Sequence, residues 1–223
     1  MADDLLDIYL TSIANIKETL SIKNAQMEAL NEVDAAEYQA NLKRALDFIT
    51  AEIKSNVNFK KELQLFQLLR LISPESHAIH PNRYRNSIVR IGSYICPEPD
   101  EIPLLVSELF QRIDSISNPI IKAIYLHHEL IRIHPFADGN GRVTRMAKNW
   151  MLMYDLYPPI FIKDAETKNI YITTLGNSFR ELNAPQNEWS EHTTLFFEQE
   201  LDRLLVNIKE IYNSVNKAGN IRI

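Results

Sequence analysis

Cysteine is almost absent: Cys96 stands alone in 223 residues. No disulfide can close within the chain, and no cysteine-rich metal cluster can form. Glycine is scarce too. All five glycines lie from Gly92 onward, and none has the spacing of a dinucleotide-binding turn or a P-loop. Basic charge is not in excess. With 24 Lys and Arg against 29 Asp and Glu, the formal net charge is −5. That balance argues against nucleic acid as a partner, because phosphate-backbone binding needs a basic field. No apolar run approaches the roughly 20 residues of a membrane span, so no membrane partner is expected. The first residues, Met1-Ala-Asp-Asp, are acidic where a secretory leader needs basic ones. A cytoplasmic location is the expectation. Internal repeats and low-complexity tracts are missing as well.

What is present is helical spacing of apolar residues. Residues from about 4 to 30 carry Leu5, Ile8, Ile13, Ile16 and Leu20, and a second stretch over about 35–54 carries Tyr38, Leu42, Ala45, Leu46 and Ile49. A third helix over about 59–72 is stopped by Ser73-Pro74, since proline removes a donor and restrains the residue before it. Residues 73–86 read as irregular, and 87–95 as the one hairpin, turning at Gly92-Ser93. Further helices are expected from Pro103 to about 115, from Asn118-Pro119 to His134-Pro135, and over about 141–154, 167–182 and 190–216. The expected fold class is all-α with a small β-hairpin.

Chemistry concentrates in His134-Pro-Phe-Ala-Asp138-Gly139-Asn140-Gly141-Arg142-Val-Thr-Arg145. His134 is the group whose pKa lies naturally near neutrality, which suits a general base. Asp138 offers the hard oxygen that Mg²⁺ prefers alongside substrate phosphates. Gly139 and Gly141 permit positive φ and close backbone approach. The following helix start is an anion site. Arg142 and Arg145, three apart, share a helix face and can fork onto phosphate oxygens. Base, metal ligand, anion cradle and cationic clamp together point to phosphoryl or nucleotidyl transfer. A helical interaction module with a degenerate nucleotide pocket is the non-enzymatic alternative.

The string His134-Pro-Phe-x-Asp138-Gly-Asn-Gly-Arg142-x-x-Arg145 resembles the signature of the Fic family in its AMP-transferring form. The likeness extends over about 60–205, through Asn82-Arg-Tyr-Arg85, Ile88–Ile91, His127–His134, Tyr171 and Trp189–Phe197. It implies a Fic-type helical bundle with a flap hairpin over 60–205, an N-terminal helical extension over 1–59 and a helical tail over 206–223. It also implies an adenylyltransferase using ATP and Mg²⁺. His134 would deprotonate a Ser, Thr or Tyr hydroxyl of a target protein, or of the chain itself, for attack on the α-phosphate of ATP. Asp138 would hold Mg²⁺, and Gly139, Asn140 and Gly141 the phosphate oxygens. Arg142 would take the β/γ end, and Arg145 the γ-phosphate or an inhibitory glutamate. Phe136 would anchor the loop in the core, and Tyr171 is a candidate adenine contact. The flap residues Ile88, Val89, Arg90 and Ile91 would align the target by strand addition. Removal of AMP, or transfer of another phosphate-containing group, is the alternative reaction on the same fold.

The family's inhibitory motif, Ser/Thr-x-x-x-Glu-Gly/Asn, has no intact copy. Asn24 with Glu28 is the leading partial match, Ala36 with Ala40 has lost both key side chains, and Thr194 with Glu198 falls in an expected core helix. Weak or absent self-inhibition is expected, or else a separate inhibitor protein supplies the glutamate. Elsewhere, His127 reads as a hydrogen-bonded core histidine, His77 and His80 as solvated, and Cys96 as a small buried or edge residue without an activating neighbour.

Overall fold

The computed structural model describes residues 2–28, 32–162, 164–182 and 189–219. The expected all-α class holds, with one two-stranded hairpin. The chain opens with α1 (Ala2–Ser12), α2 (Ala14–Glu28) and α3 (Glu32–Lys54). The single helix expected over 4–30 is therefore divided at Ile13, whose side chain is fully buried. Next come α4 (Glu62–Ile72) and α5 (Pro74–Ile79). The start of α4 lies three residues later than its apolar spacing suggests, because the Gln64 side chain accepts the Lys60 and Lys61 N–H groups at 2.7 and 2.8 Å. The segment expected to be irregular over 73–86 instead holds a short helix. Pro74 ends α4 and begins α5, because the first helical position needs no N–H donor. His77 and His80, expected to be solvated, are half-buried there.

The hairpin is shorter than the expected 87–95. Strands β1 (Arg90–Ile91) and β2 (Tyr94–Ile95) pair antiparallel, Arg90 opposite Ile95 and Ile91 opposite Tyr94. Gly92 turns the chain at φ +60°, a conformation open to glycine at little cost. Then follow α6 (Ile102–Asp114), α7 (Pro119–Ile133), α8 (Asn140–Tyr154), α9 (Ala165–Leu182) and α10 (Glu191–Gly219). Asn118 caps α7 as expected, its Oδ1 accepting from Ile120 and Ile121 at 3.0 and 3.1 Å.

Helices α7 and α8 form the central pair, with α3 and α4 against α8, α6 against α7, and α9 paired with α10. The larger core is built around Trp150, fully buried, with Phe48 and Phe59 edge-on at 5.5 and 5.7 Å. Its indole N–H donates to the Val57 carbonyl at 3.0 Å, which satisfies the polar end of a deeply buried ring. A second cluster gathers Tyr94, Tyr171, Phe179, Phe196 and Phe197 around α7. His127 and His128 sit among these rings, both buried. His127 Nε2 meets the Tyr171 hydroxyl at 2.8 Å and His128 Nε2 meets Ser178 Oγ at 2.9 Å. The core-histidine reading of His127 thus agrees with the packing. Cys96 is buried, and burial pushes its thiol up to about 11, in keeping with an inert role. No helix among the described residues is long and apolar enough to cross a membrane.

Candidate active site

The loop between α7 and α8 is held by long-range bonds. His134 caps α7 in the left-handed region, φ 52°, ψ 60°, which is uncommon for a residue with a Cβ. Its backbone N–H donates to the Leu130 carbonyl at 3.0 Å, and its own carbonyl accepts from Arg85 Nε at 2.7 Å. The ring Nδ1 lies 3.3 Å from the Ile131 carbonyl. A carbonyl only accepts, so Nδ1 carries the proton and Nε2 the lone pair. Burial lowers the His134 pKa below its ordinary 6.5, opposed by the Ile131 hydrogen bond, reinforced by Arg85 and opposed by Asp138. The ring is thus neutral at neutral pH, with Nε2 able to accept a proton.

Beyond His134, Phe136 is buried against Phe66, ring centroids 5.8 Å apart. The anchoring role expected of it is what the packing provides. Asn140 clasps the same residue: Oδ1 accepts from Phe136 N at 2.8 Å and Nδ2 donates to Phe136 O at 2.7 Å. The Asn140 amide is thus engaged within the loop and not turned outward. Both ends of the amide close the loop, because a buried loop must satisfy its own backbone groups. The glycine reading is divided. Gly139 does adopt positive φ, +82°, and a Cβ there would lie 2.8 Å from Ser73 Cβ. Gly141 is helical, and a Cβ there would meet Arg145 Nη1 at 3.1 Å. One glycine clears the α4–α5 junction, and the other clears an arginine.

Asp138 and Arg142 lie one helical turn apart and pair, Nη2 to Oδ2, at 3.0 Å. The carboxylate is 70% exposed and the guanidinium side chain 7%. Ser73 Oγ also donates to Oδ2 at 3.3 Å, and Ser76 Oγ bonds the Asp138 backbone on both sides at 3.3 Å. Arg142 Nη1 donates to the Ile72 carbonyl at 3.3 Å. Arg145, on the next turn, hydrogen-bonds the Tyr171 hydroxyl. Behind it, the buried Lys148 pairs with Glu200, which also accepts from Arg203 at 2.6 Å. Burial by itself would raise the Glu200 pKa, but Lys148, His127 and Arg203 hold it down at about 2.

Two cavities meet at this loop. One, about 280 Å³, is polar and lined by Tyr38, His134, Asp138, Gly139, Asn140, Gly141 and Arg142. The other, about 290 Å³, is mainly apolar, with Ile91, Ile131, Tyr171, Ile172 and Leu175 beside Arg145 and Lys168. His134 and Gly141 border both. A polyphosphate suits the first and a nucleobase the second. Among the described residues no cluster of three or more His, Cys, Asp or Glu side chains could hold a metal. The single exposed carboxylate of Asp138, facing a polar cavity, fits a cation that takes most of its ligands from phosphate and water.

The expected site residues are therefore brought together over His134–Arg145, with Tyr171 in the apolar wall. Of the four flap positions, Ile91 alone lines either of these two cavities. Val89 lies outside the ladder, its carbonyl accepting from Cys96 N at 3.1 Å, and Ile88 and Arg90 are exposed. The side chains of Asn24 and Glu28 lie outside the described residues. Ala36 and Ala40 are exposed on α3, and Thr194 and Glu198 are exposed on α10. Sequence reasoning missed Tyr38, Ser73, Ser76, Ile131, Lys168, Ile172 and Leu175, and gave Arg85 no role. Ile131 lies three residues before His134 and Arg85 within the Asn82–Arg85 match; the others reach the site from distant stretches with no local motif to mark them.

The site is thus a histidine, a carboxylate, two glycines and two arginines gathered on one loop and helix start of a helical scaffold. Residues 60–152 match the model of the Fic/DOC family. It is 26% identical over 162 residues to a protein adenylyltransferase Fic of Aedes aegypti, covering 70% of this chain and 32% of that one. The chain spans about a third of the length of the curated relatives it matches. In fold it is similar to Fic-1 of C. elegans, with TM-score 0.73 at 15% identity, covering 96% of this chain and 71% of that one. It is also similar to IbpAFic2, solved covalently tethered to Cdc42, with TM-score 0.55 at 17% identity over 88% and 69% of the two chains.

Proposed function

We propose that this chain transfers AMP from ATP to a hydroxyl of a target protein, itself included. The observation that carries the reading is that His134 borders both cavities. A nucleotide with its base against Tyr171, Ile172 and Leu175 and its β/γ end against Gly141 and Arg142 lays its α-phosphate beside His134. His134 Nε2 takes the proton of the attacking hydroxyl. Its oxygen bonds to the α-phosphorus, the α–β bridging P–O bond breaks, and pyrophosphate leaves with the electron pair. Asp138 would hold Mg²⁺, which would offset charge on the phosphates. Arg142 and the α8 N-terminus bind the departing end. Ile91, at the hairpin edge and in the cavity wall, brings the target chain to His134. Residues 60–205 carry the reaction in this reading, and 1–59 its control. The C. elegans and IbpA folds and the adenylyltransferase relatives support it at the level of family.

The deciding experiment is intact-mass measurement after incubation with Mg·ATP, alone and with lysate, beside ATP labelled at the α or the γ position. A gain of one AMP with retention of α-label is expected. Retention of γ-label instead would identify phosphoryl transfer, and no modification together with loss of AMP from a pre-modified target would identify the reverse hydrolysis. Failure to bind Mg·ATP would leave a helical interaction module.

A further inference from the structure

Helix α3 meets the polar cavity through one aromatic side chain. Tyr38 is half-buried, lines that cavity, and places its ring centroid 4.1 Å from Arg142 Cζ. The guanidinium is thus fixed on its face by the ring and on its edges by the Ile72 carbonyl and the Asp138 carboxylate. Asn41, three residues along α3 and buried, donates to the same Ile72 carbonyl at 3.4 Å. That bond joins the same face of α3 to the carbonyl that holds Arg142. Residues three apart share a helix face and residues two apart do not, so Tyr38 faces the site while Ala36 and Ala40 stay exposed.

We infer that Tyr38 is a positioning residue for nucleotide, acting through Arg142; this rests on the ATP reading above. A long arginine side chain has many rotamers to lose on gripping phosphate. Stacking on an aromatic face keeps the guanidinium plane in one place with attractive energy of its own. Where a phosphate oxygen takes the place of the Asp138 carboxylate at Nη2, the ring would keep the guanidinium in the cavity wall. Helix α3 therefore acts on this site at Arg142 through an aromatic face. The motif it lacks would have acted at Arg145 through a carboxylate.

The test compares wild type, Tyr38→Phe and Tyr38→Leu by calorimetric binding of Mg·ATP, by KM and kcat for α-label transfer, and by thermal melting. Tyr38→Phe keeps the ring and is expected within about twofold of wild type, whereas Tyr38→Leu weakens nucleotide binding about 3- to 30-fold. The loss should appear in KM more than in kcat, with melting close to wild type. If Tyr38→Leu does not fold, Tyr38→Met supplies a flexible apolar side chain without a ring. Tyr38→Leu matching wild type, or Tyr38→Phe as impaired as Tyr38→Leu, would overturn the assignment while the ATP reading stood. A wild-type protein that bound no Mg·ATP would overturn both.

Discussion

Arg85 and His134 are joined through the main chain: the buried guanidinium donates its Nε–H to the His134 carbonyl at 2.7 Å. The same group donates to the carbonyls of Ser87, Pro97 and Ile133. One side chain thus ties both ends of the hairpin segment to the end of α7, and secures the left-handed backbone of His134. Replacing it leaves several buried acceptors unmatched. Arg85→Met should lower unfolding free energy by about 2–4 kcal/mol. Arg85→Lys should not restore it, because an ammonium lacks the planar fork. Urea denaturation of the three proteins measures both.

The neutral His134 ring sets a pH expectation. The base form is populated above its pKa, and that pKa lies below the ordinary 6.5. Activity should therefore rise with pH along a limb on the acid side of that value and be flat through neutrality. The profile of kcat/KM for label transfer is the measurement, since it reports groups of the free enzyme. His134→Ala should lose about 10²-fold or more. Full activity in that variant would remove the histidine from the mechanism.

Asp138 and Arg142 pair a largely exposed carboxylate with a buried guanidinium that Tyr38 and the Ile72 carbonyl also hold, so the bond between them should matter little to folding. Asp138→Ala is expected to change stability by about 1 kcal/mol or less. The same change removes the one carboxylate of the polar cavity and should abolish Mg²⁺-dependent labelling. Thermal melting alongside a Mg²⁺ titration of activity separates the two effects. A large fall in melting temperature would show that the loop itself depends on Asp138.

The two glycines should behave oppositely. Gly139→Ala places a Cβ at φ +82° and against Ser73, and should cost about 1–3 kcal/mol from backbone strain alone. Gly141→Ala lies in a helix, where alanine is the better former, so stability should stay within about 1 kcal/mol of wild type. Its Cβ presses on the tip of Arg145, so the loss should fall on ATP affinity. Denaturation and calorimetry on the pair test the contrast.

Local rules made much of this protein legible from its residues in order. Apolar spacing located nearly every helix, because a helix face repeats within a few residues and needs no knowledge of its partner. Asn118-Pro119 announced a helix start and Ser73-Pro74 a helix end through the geometry of their own backbones. The loop from His134 to Arg145 was readable because base, carboxylate, glycines and arginines are contiguous. Tertiary structure decided what those residues have left to do once folded. It turned the Asn140 side chain inward onto Phe136, gave positive φ to Gly139 and not Gly141, and set the His134 tautomer through the Ile131 carbonyl. It also brought Tyr38, Ile72, Ser73 and Arg85 to the loop from 49 to 104 residues away along the chain. Such contacts leave no periodic trace, because a hydrogen bond or a ring stack depends on distance in space and not on spacing in sequence.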